Sequence, residues 1–175
     1  MALVLSGSGN GSLNNLALSA NTGTIVDTAR AGGVIQVKSS IKTDTATTTG
    51  TSFADISDLS VSITPTSTSN KILILLTLGA VGNNTNAIIF NLVRGSTTLA
   101  QPDGGTNPGS INVFPSATSD VDNASLNFLD SPSTTSATTY KVQWRVDAGT
   151  GYLNRHTGNT NYNSVSTITV MEVVA

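Results

Sequence analysis

The chain has 175 residues, a formal net charge of -2 and only 10% charged residues, against about 25% in ordinary soluble domains, and Ser, Thr, Asn and Gly make up the difference. That length suits one domain with a real core, the near-neutral charge leaves no basic footprint for nucleic acid or an anionic membrane, and the lack of cysteine excludes disulfides and thiolate metal sites. No apolar run approaches the roughly 20 residues of a spanning helix and no basic region precedes an apolar stretch at the start, so neither membrane insertion nor a secretory signal is expected.

The first segment, residues 1–33, is rich in Gly, Ser, Asn and Ala and ends in the linker-like "ARAGG". Its opening, with Gly7, Gly9 and Gly11 followed by Asp27, mimics the spacing of a dinucleotide-binding turn. Ser12 stands where the third glycine belongs, and the candidate helix after it carries Asn and Ser where a crossover helix would be apolar. No cofactor is therefore expected. The segment is too short and polar for its own core, so it reads as an extended attachment or linker piece, with Leu3, Leu5, Leu13 and Leu16 as the apolar anchors toward sister chains or a docking surface.

From Gly33 onward, alternation with a period of two dominates. Ile35, Val37 and Ile41 share one face of a strand and Gln36, Lys38, Ser40 and Lys42 the other, which predicts a half-buried strand with its apolar side inward. Leu59, Val61 and Ile63 alternate with serine before the turn residues "TPTSTSN", and Tyr140, Val142, Trp144 and Val146 alternate with Lys141, Gln143, Arg145 and Asp147. Weaker strands are expected over residues 97–100, 111–114, 124–129 and 165–174. Turn signals recur about every 8–12 residues with no helical period, the pattern of an antiparallel sandwich or barrel, and the expectation is an all-β, antiparallel, jelly-roll-like β-sandwich over residues 34–175.

"KILILLTLG" and "AIIFNLV" break the pattern, being apolar at successive positions, so both faces of each strand need cover. Either a loop of the same chain supplies it, or a second copy does. On the second reading Leu73, Leu75, Ile88 and Phe90 are the candidate oligomer-interface residues.

Catalytic constellations fail on inspection. His156 is the sole histidine, so neither a multi-histidine metal site nor a conventional serine triad assembles within one chain. "DVDN" lacks the glycine and glutamate of a calcium loop. Paired carboxylates meet in space and escape this kind of reading. What remains is recognition chemistry in the polar loop "GYLNRHTGNTNYN", where Tyr152, Asn154, Arg155, His156, Asn159, Asn161 and Tyr162 offer rings, amides and a guanidinium suited to saccharides. A second excursion, "AQPDGGTNPGS", could cap one end of the sandwich.

The run "TDTATTTGTSFADISDLSVSITPTSTSNKILILLTLG", followed by "LVRGSTTLA", "DSPSTTSATTYKVQWRV" and "STITVMEVVA", resembles the distal domain of fibre proteins of marine tailed bacteriophages, including cyanophages. The resemblance implies a virion structural protein assembled in the host cytoplasm. It implies a homotrimer that displays a β-sandwich tip and contacts other virion proteins through its N-terminal segment; host-surface polysaccharide is the partner expected from the polar loop. It brings no catalytic residues. A capsid decoration or cement protein, or a carbohydrate-active enzyme on the virion, are the other readings of the same residues.

Overall fold

A computed structural model describes residues 31–83, 86–117 and 119–175, so the attachment segment with Leu3, Leu5, Leu13 and Leu16 lies outside the described residues. The described chain is all-β. Its strands are β1 (Val34–Lys42), β2 (Ala46–Thr48), β3 (Ala54–Ile63), β4 (Lys71–Asn83), β5 (Ile88–Arg94), β6 (Thr97–Leu99), β7 (Ile111–Val113), β8 (Asp122–Asp130), β9 (Thr138–Val146), β10 (Gly151–Leu153) and β11 (Ser166–Val173).

One sheet runs β1-β11-β4, with β8 on β4 and the short β10-β2 pair on the end of β4; the other runs β3-β9-β5, with β6 and β7 dividing the far edge of β5. Every pairing is antiparallel. The long strands pass back and forth between the sheets, which is the wrapped order of a jelly roll.

Strict alternation builds the core. Ile72, Ile74, Leu76 and Leu78 of β4 and Ile168 and Val170 of β11 point inward from one sheet. They meet Ile56, Leu59, Val61 and Ile63 of β3, Ile88, Phe90 and Leu92 of β5, and Tyr140, Val142, Trp144 and Val146 of β9. Phe90 and Trp144 are cross-strand partners whose rings stack with centroids 6.2 Å apart. Each such aliphatic or aromatic side chain contributes about 1.5–3 kcal/mol by leaving water.

The second face of β5 is also closed, and the chain closes it itself. Ile89, Asn91 and Val93 are buried there beneath the long β6–β7 connection. Gln101 Nε2 donates to Asn91 Oδ1 (2.9 Å), and Ser110 Oγ accepts from the Leu92 amide (3.0 Å) while donating to the Leu99 carbonyl (2.7 Å). Gly109 makes the cover fit: a β-carbon there would lie 2.4 Å from Ile89 Cγ2, closer than packed carbons approach. The predicted interface residues Ile88 and Phe90 therefore need correction, since they are fully buried inward in one chain's own core and offer no surface to another copy. The reason is parity: in a strand, even and odd positions face opposite ways.

β1 inverts its expectation. Its polar alternates point inward: Gln36 Nε2 donates to the Thr64 carbonyl (3.2 Å) and Glu172 (3.3 Å), and Ser40 Oγ donates to the Asp58 carbonyl (2.7 Å). Lys42, 1% exposed, reaches Asp44 (2.8 Å) and Ser57 Oγ (3.1 Å). The apolar residues Ile35, Val37 and Ile41 face out, 49%, 53% and 54% exposed. At this edge the two sheets curl together, and the seam between β1 and β3 is sewn by polar side chains.

Two further seams carry buried charge. Glu172 of β11 accepts from the Thr66 amide (2.6 Å), Thr66 Oγ1 (2.8 Å) and Asn70 Nδ2 (2.7 Å), holding the β3–β4 turn to the sheet. Burial pushes its carboxyl up, but the donors from Asn70, Thr66 and Gln36 outweigh that and hold it below its ordinary value. Across the sandwich, Asp130 of β8 accepts from Arg94 Nη1 of β5 (2.7 and 2.8 Å) and from the Tyr140 hydroxyl of β9 (2.6 Å). Burial and the neighbouring carboxylate push the Tyr140 hydroxyl far above its ordinary range, so it stays a donor.

Candidate functional site

The polar loop predicted from sequence grows out of the end of β4. β4 bulges between Leu78 and Val81, with Ala80 in the left-handed region (φ 40°) and its amide donating to Asn123 Oδ1 (3.0 Å). The bulge turns the strand so that Gly82 and Asn83 pair with Tyr152 and Gly151 of β10. Gly82 is needed here because its neighbours press in: a β-carbon would sit 2.6 Å from Thr157 Cγ2 and 3.1 Å from the Asp120 carbonyl. Its contacts bring the 151–163 loop and the β7–β8 connection to one end of the sandwich.

Within the loop the predicted residues separate into two roles. Asn154 is fully buried with φ 62°, a left-handed conformation that asparagine tolerates better than most residues. Its Nδ2 donates to the carbonyls of Lys42 and Asp44 (both 2.9 Å), its Oδ1 accepts from Ser166 Oγ (2.6 Å), and its amide donates to the Gly79 carbonyl (3.0 Å). The side chain is fully committed to tying the end of β1 to β11, and the backbone amide adds β4. Asn154 is thus a scaffold residue, and its placement among the binding candidates is corrected.

The other residues are displayed. Arg155 bridges to Asn163 across the hairpin, and its guanidinium lies over the Tyr152 ring, 5.1 Å from the centroid. The His156 amide donates to the Tyr162 carbonyl (3.1 Å), and the two rings meet edge to face at 6.3 Å. His156 Nδ1 accepts from the Gly158 amide (3.0 Å) and Asn159 Oδ1 from the Asn161 amide (2.9 Å), closing the tip as two local turns. Tyr162 remains 68% exposed. A cation on a ring beside a half-buried His156 ring and an exposed Tyr162 ring is a surface suited to stacking and directional hydrogen bonding.

Beside it lies a feature the sequence reading missed as a site. β7 and β8 line an open cleft of about 320 Å³ with Asn112, Phe114, Asp122, Asn123 and Ser125 along it. Phe114 is 69% exposed at its rim. The lone signal was an aromatic just past the last apolar position of a weak strand. Asp120 fixes the turn leading into the cleft by accepting from the Ser116 hydroxyl and amide; the Ser116 hydroxyl bond holds its carboxyl below the ordinary range.

Among the described residues no group of His, Asp and Glu comes together to hold a metal, and no helix is long and apolar enough to cross a membrane. The interface candidates Leu73 and Leu75 sit half-buried on the outer face of β4. No protein-family model and no curated protein sequence matches the chain.

Proposed function

We propose that the chain is a virion structural protein, a bacteriophage fibre module assembled in the host cytoplasm as a homotrimer and carried on the particle through its N-terminal segment, which binds host-surface glycans with the end of its sandwich. The observation that carries this reading is the hairpin tip at residues 155–163: Arg155 over Tyr152 and His156 against Tyr162 are held on a rigid base by the buried Asn154. Rings with flanking amides match the alternating apolar and hydroxyl faces of a sugar, and a rigid scaffold under a polar loop lets the loop specialise without cost to the core. Weak sugar affinity at one tip is raised by repetition on a multivalent particle.

Replacing Arg155 and Tyr162 together by Ala tests it. Adsorption of particles carrying the variant should fall at least tenfold, while the unfolding free energy changes by less than about 1 kcal/mol, the scale of one exposed cation–ring contact. Unchanged adsorption with normal incorporation would remove the loop from receptor binding. Unchanged adsorption of particles lacking the protein altogether, with loss of capsid stability, would favour a cement role, and depolymerisation of host polysaccharide by the pure chain would favour an enzyme.

A further inference from the structure

The open cleft of about 320 Å³ between β7 and β8 lies where the two sheets end. Among the described residues β7 pairs with β5 alone and β8 with β4 alone, so these strands are free margins of opposite sheets and the cleft is the gap between them. Its volume falls at the lower end of the roughly 300–1,000 Å³ of small-ligand sites. The lining combines one apolar ring with polar groups. Phe114, 69% exposed, offers a flat apolar face. Asp122, Asn123 and Ser125 stand exposed along β8. Asn123 Oδ1 accepts from the Ala80 amide (3.0 Å), which orients the side chain and leaves its two Nδ2 hydrogens as donors. Asp122 is the sole charged residue of the lining and belongs to none of the ion pairs among the described residues, so its carboxylate is an acceptor without a cation. The walls are firm, because Val113 is buried in the core and Ala124 packs against it.

We propose that this cleft is a saccharide subsite that takes one neutral, hydroxyl-rich sugar unit, with Phe114 under its C–H face, Asp122 accepting from neighbouring hydroxyls and Asn123 donating to another. The lining disfavours the other small occupants. A metal finds one carboxylate, and no group of metal-holding residues comes together among the described residues. An apolar ligand would take the polar side chains out of water without giving them partners. An acidic sugar would bring its carboxylate to Asp122 with no cation in the lining to offset the repulsion. The cleft also adjoins the hairpin: a β-carbon on Gly82 would lie 2.6 Å from Thr157 Cγ2 of the hairpin and 3.2 Å from Val121 Cγ1 beside Asp122, so one saccharide chain can touch both. That the hairpin holds a neighbouring unit, and that the saccharide belongs to a host surface, rests on the glycan reading above; the assignment of the cleft rests on its own lining.

The test is a nuclear magnetic resonance titration of the full chain, labelled with nitrogen-15, against three neutral probes, maltohexaose, cellohexaose and mannohexaose, and one acidic probe, hexagalacturonate. Each is added to about 10 mM, enough for an affinity near 1 mM. At least one neutral probe should shift the amide signals of residues 112–114 and 122–125, and hexagalacturonate should not. Phe114→Ala and Asp122→Ala should each weaken that binding about tenfold, the scale of losing one hydrogen bond to a charged group. Asp122→Asn, a change of charge without change of shape at an exposed position, should admit hexagalacturonate to the cleft, and this readout holds even if Phe114→Ala misfolds. Cleft signals unmoved by all three neutral probes overturn the proposal, as do parent-like binding by both alanine variants or equal binding of the acidic probe by the parent. Shifts confined to residues 155–163 overturn the cleft and leave the hairpin reading standing. Shifts confined to the cleft support the cleft and remove the hairpin, so the two failures are distinguishable.

Discussion

The two outer faces of the sandwich are built by the same alternation and finished differently. On the β3-β9 face, Lys141 pairs with Asp55 (2.8 Å), Gln143 donates to the same carboxylate (2.7 Å), Arg145 reaches Asp147 (2.8 Å) and its guanidinium covers the Phe53 ring at 5.4 Å. Further along that sheet, the apolar outer positions of β5 are roofed by the chain's own β6–β7 connection. The β1-β11-β4-β8 face carries one charge, Lys71 at its margin, and has no roof among the described residues. The described chain thus covers one apolar outer surface itself and leaves the other, with Val37 and Leu129 about half exposed, bare.

The sharpest way to break that comparison uses neighbouring positions of one strand. Leu76 of β4 points into the core with 1% exposure and Leu75 points out, half-buried. Leu76→Ala should cost about 3–4 kcal/mol at any protein concentration, because it leaves a cavity in a closed core. Leu75→Ala should cost less than about 1 kcal/mol in dilute protein and more as concentration rises. Denaturant unfolding at two concentrations reads both, and a Leu75→Ala effect independent of concentration would mean that no second copy docks on its face.

Asn154→Ala comes next. It strands the carbonyls of Lys42 and Asp44 and the Ser166 hydroxyl that the amide now serves, and puts a β-carbon residue without compensating bonds at φ 62°. A loss of about 2–3 kcal/mol is expected in thermal unfolding, against under about 0.5 kcal/mol for Asn161→Ala on the exposed tip. Equal effects would erase the distinction between scaffold and display within the loop.

How much of this was legible depends on what each pattern encodes. Alternation in "TYKVQWRV" and "LSVSIT" identified strands and their inward residues, because a period of two assigns faces without reference to the rest of the fold. It does not say which face is the interior. For β1 the apolar set Ile35, Val37 and Ile41 was read as inward, yet Gln36, Ser40 and Lys42 turn in, their partners Thr64, Glu172, Asp58 and Asp44 being remote in sequence or hidden in a turn. The unbroken apolar run in β5 similarly gave no parity, so Ile88 and Phe90 were assigned outward, and the glycine that lets the loop roof Ile89 had no periodic signature. Of the three-residue strands, β6 and β7 show only as weak strands and β2 and β10 not at all, because three residues cannot show a period. Asn154 looked like its exposed neighbours since burial of a single amide leaves no trace in composition.

Glu172 makes the seam under the apolar face sensitive to acid. Its folded pKa lies below the ordinary 4.5, so its contribution to stability is complete above that value and is lost as pH falls through the depressed folded one. Melting temperature should hold between about pH 7 and pH 5 and then decline. Glu172→Gln should be less stable at neutral pH and lose part of the acid-dependent decline. A parent and variant with parallel acid profiles would place the acid lability elsewhere.

The smallest effect is expected on the polar outer face, and it is the control on which the comparison rests. Asp55 is held below the ordinary carboxylate range first by its hydrogen bond from Lys141 and then by Gln143, but its side chain is 53% exposed, so water and salt screen most of the attraction. Asp55→Asn should therefore cost less than about 1 kcal/mol in low salt, and this cost should shrink further at about 1 M salt, where the screening length is only about 3 Å. The oligomeric state should be untouched under both conditions. If Asp55→Asn instead altered the mass of the particle-free protein, the charged face would be taking part in a contact between copies, and the contrast between a face finished for water and a bare apolar one would fail at its simpler end.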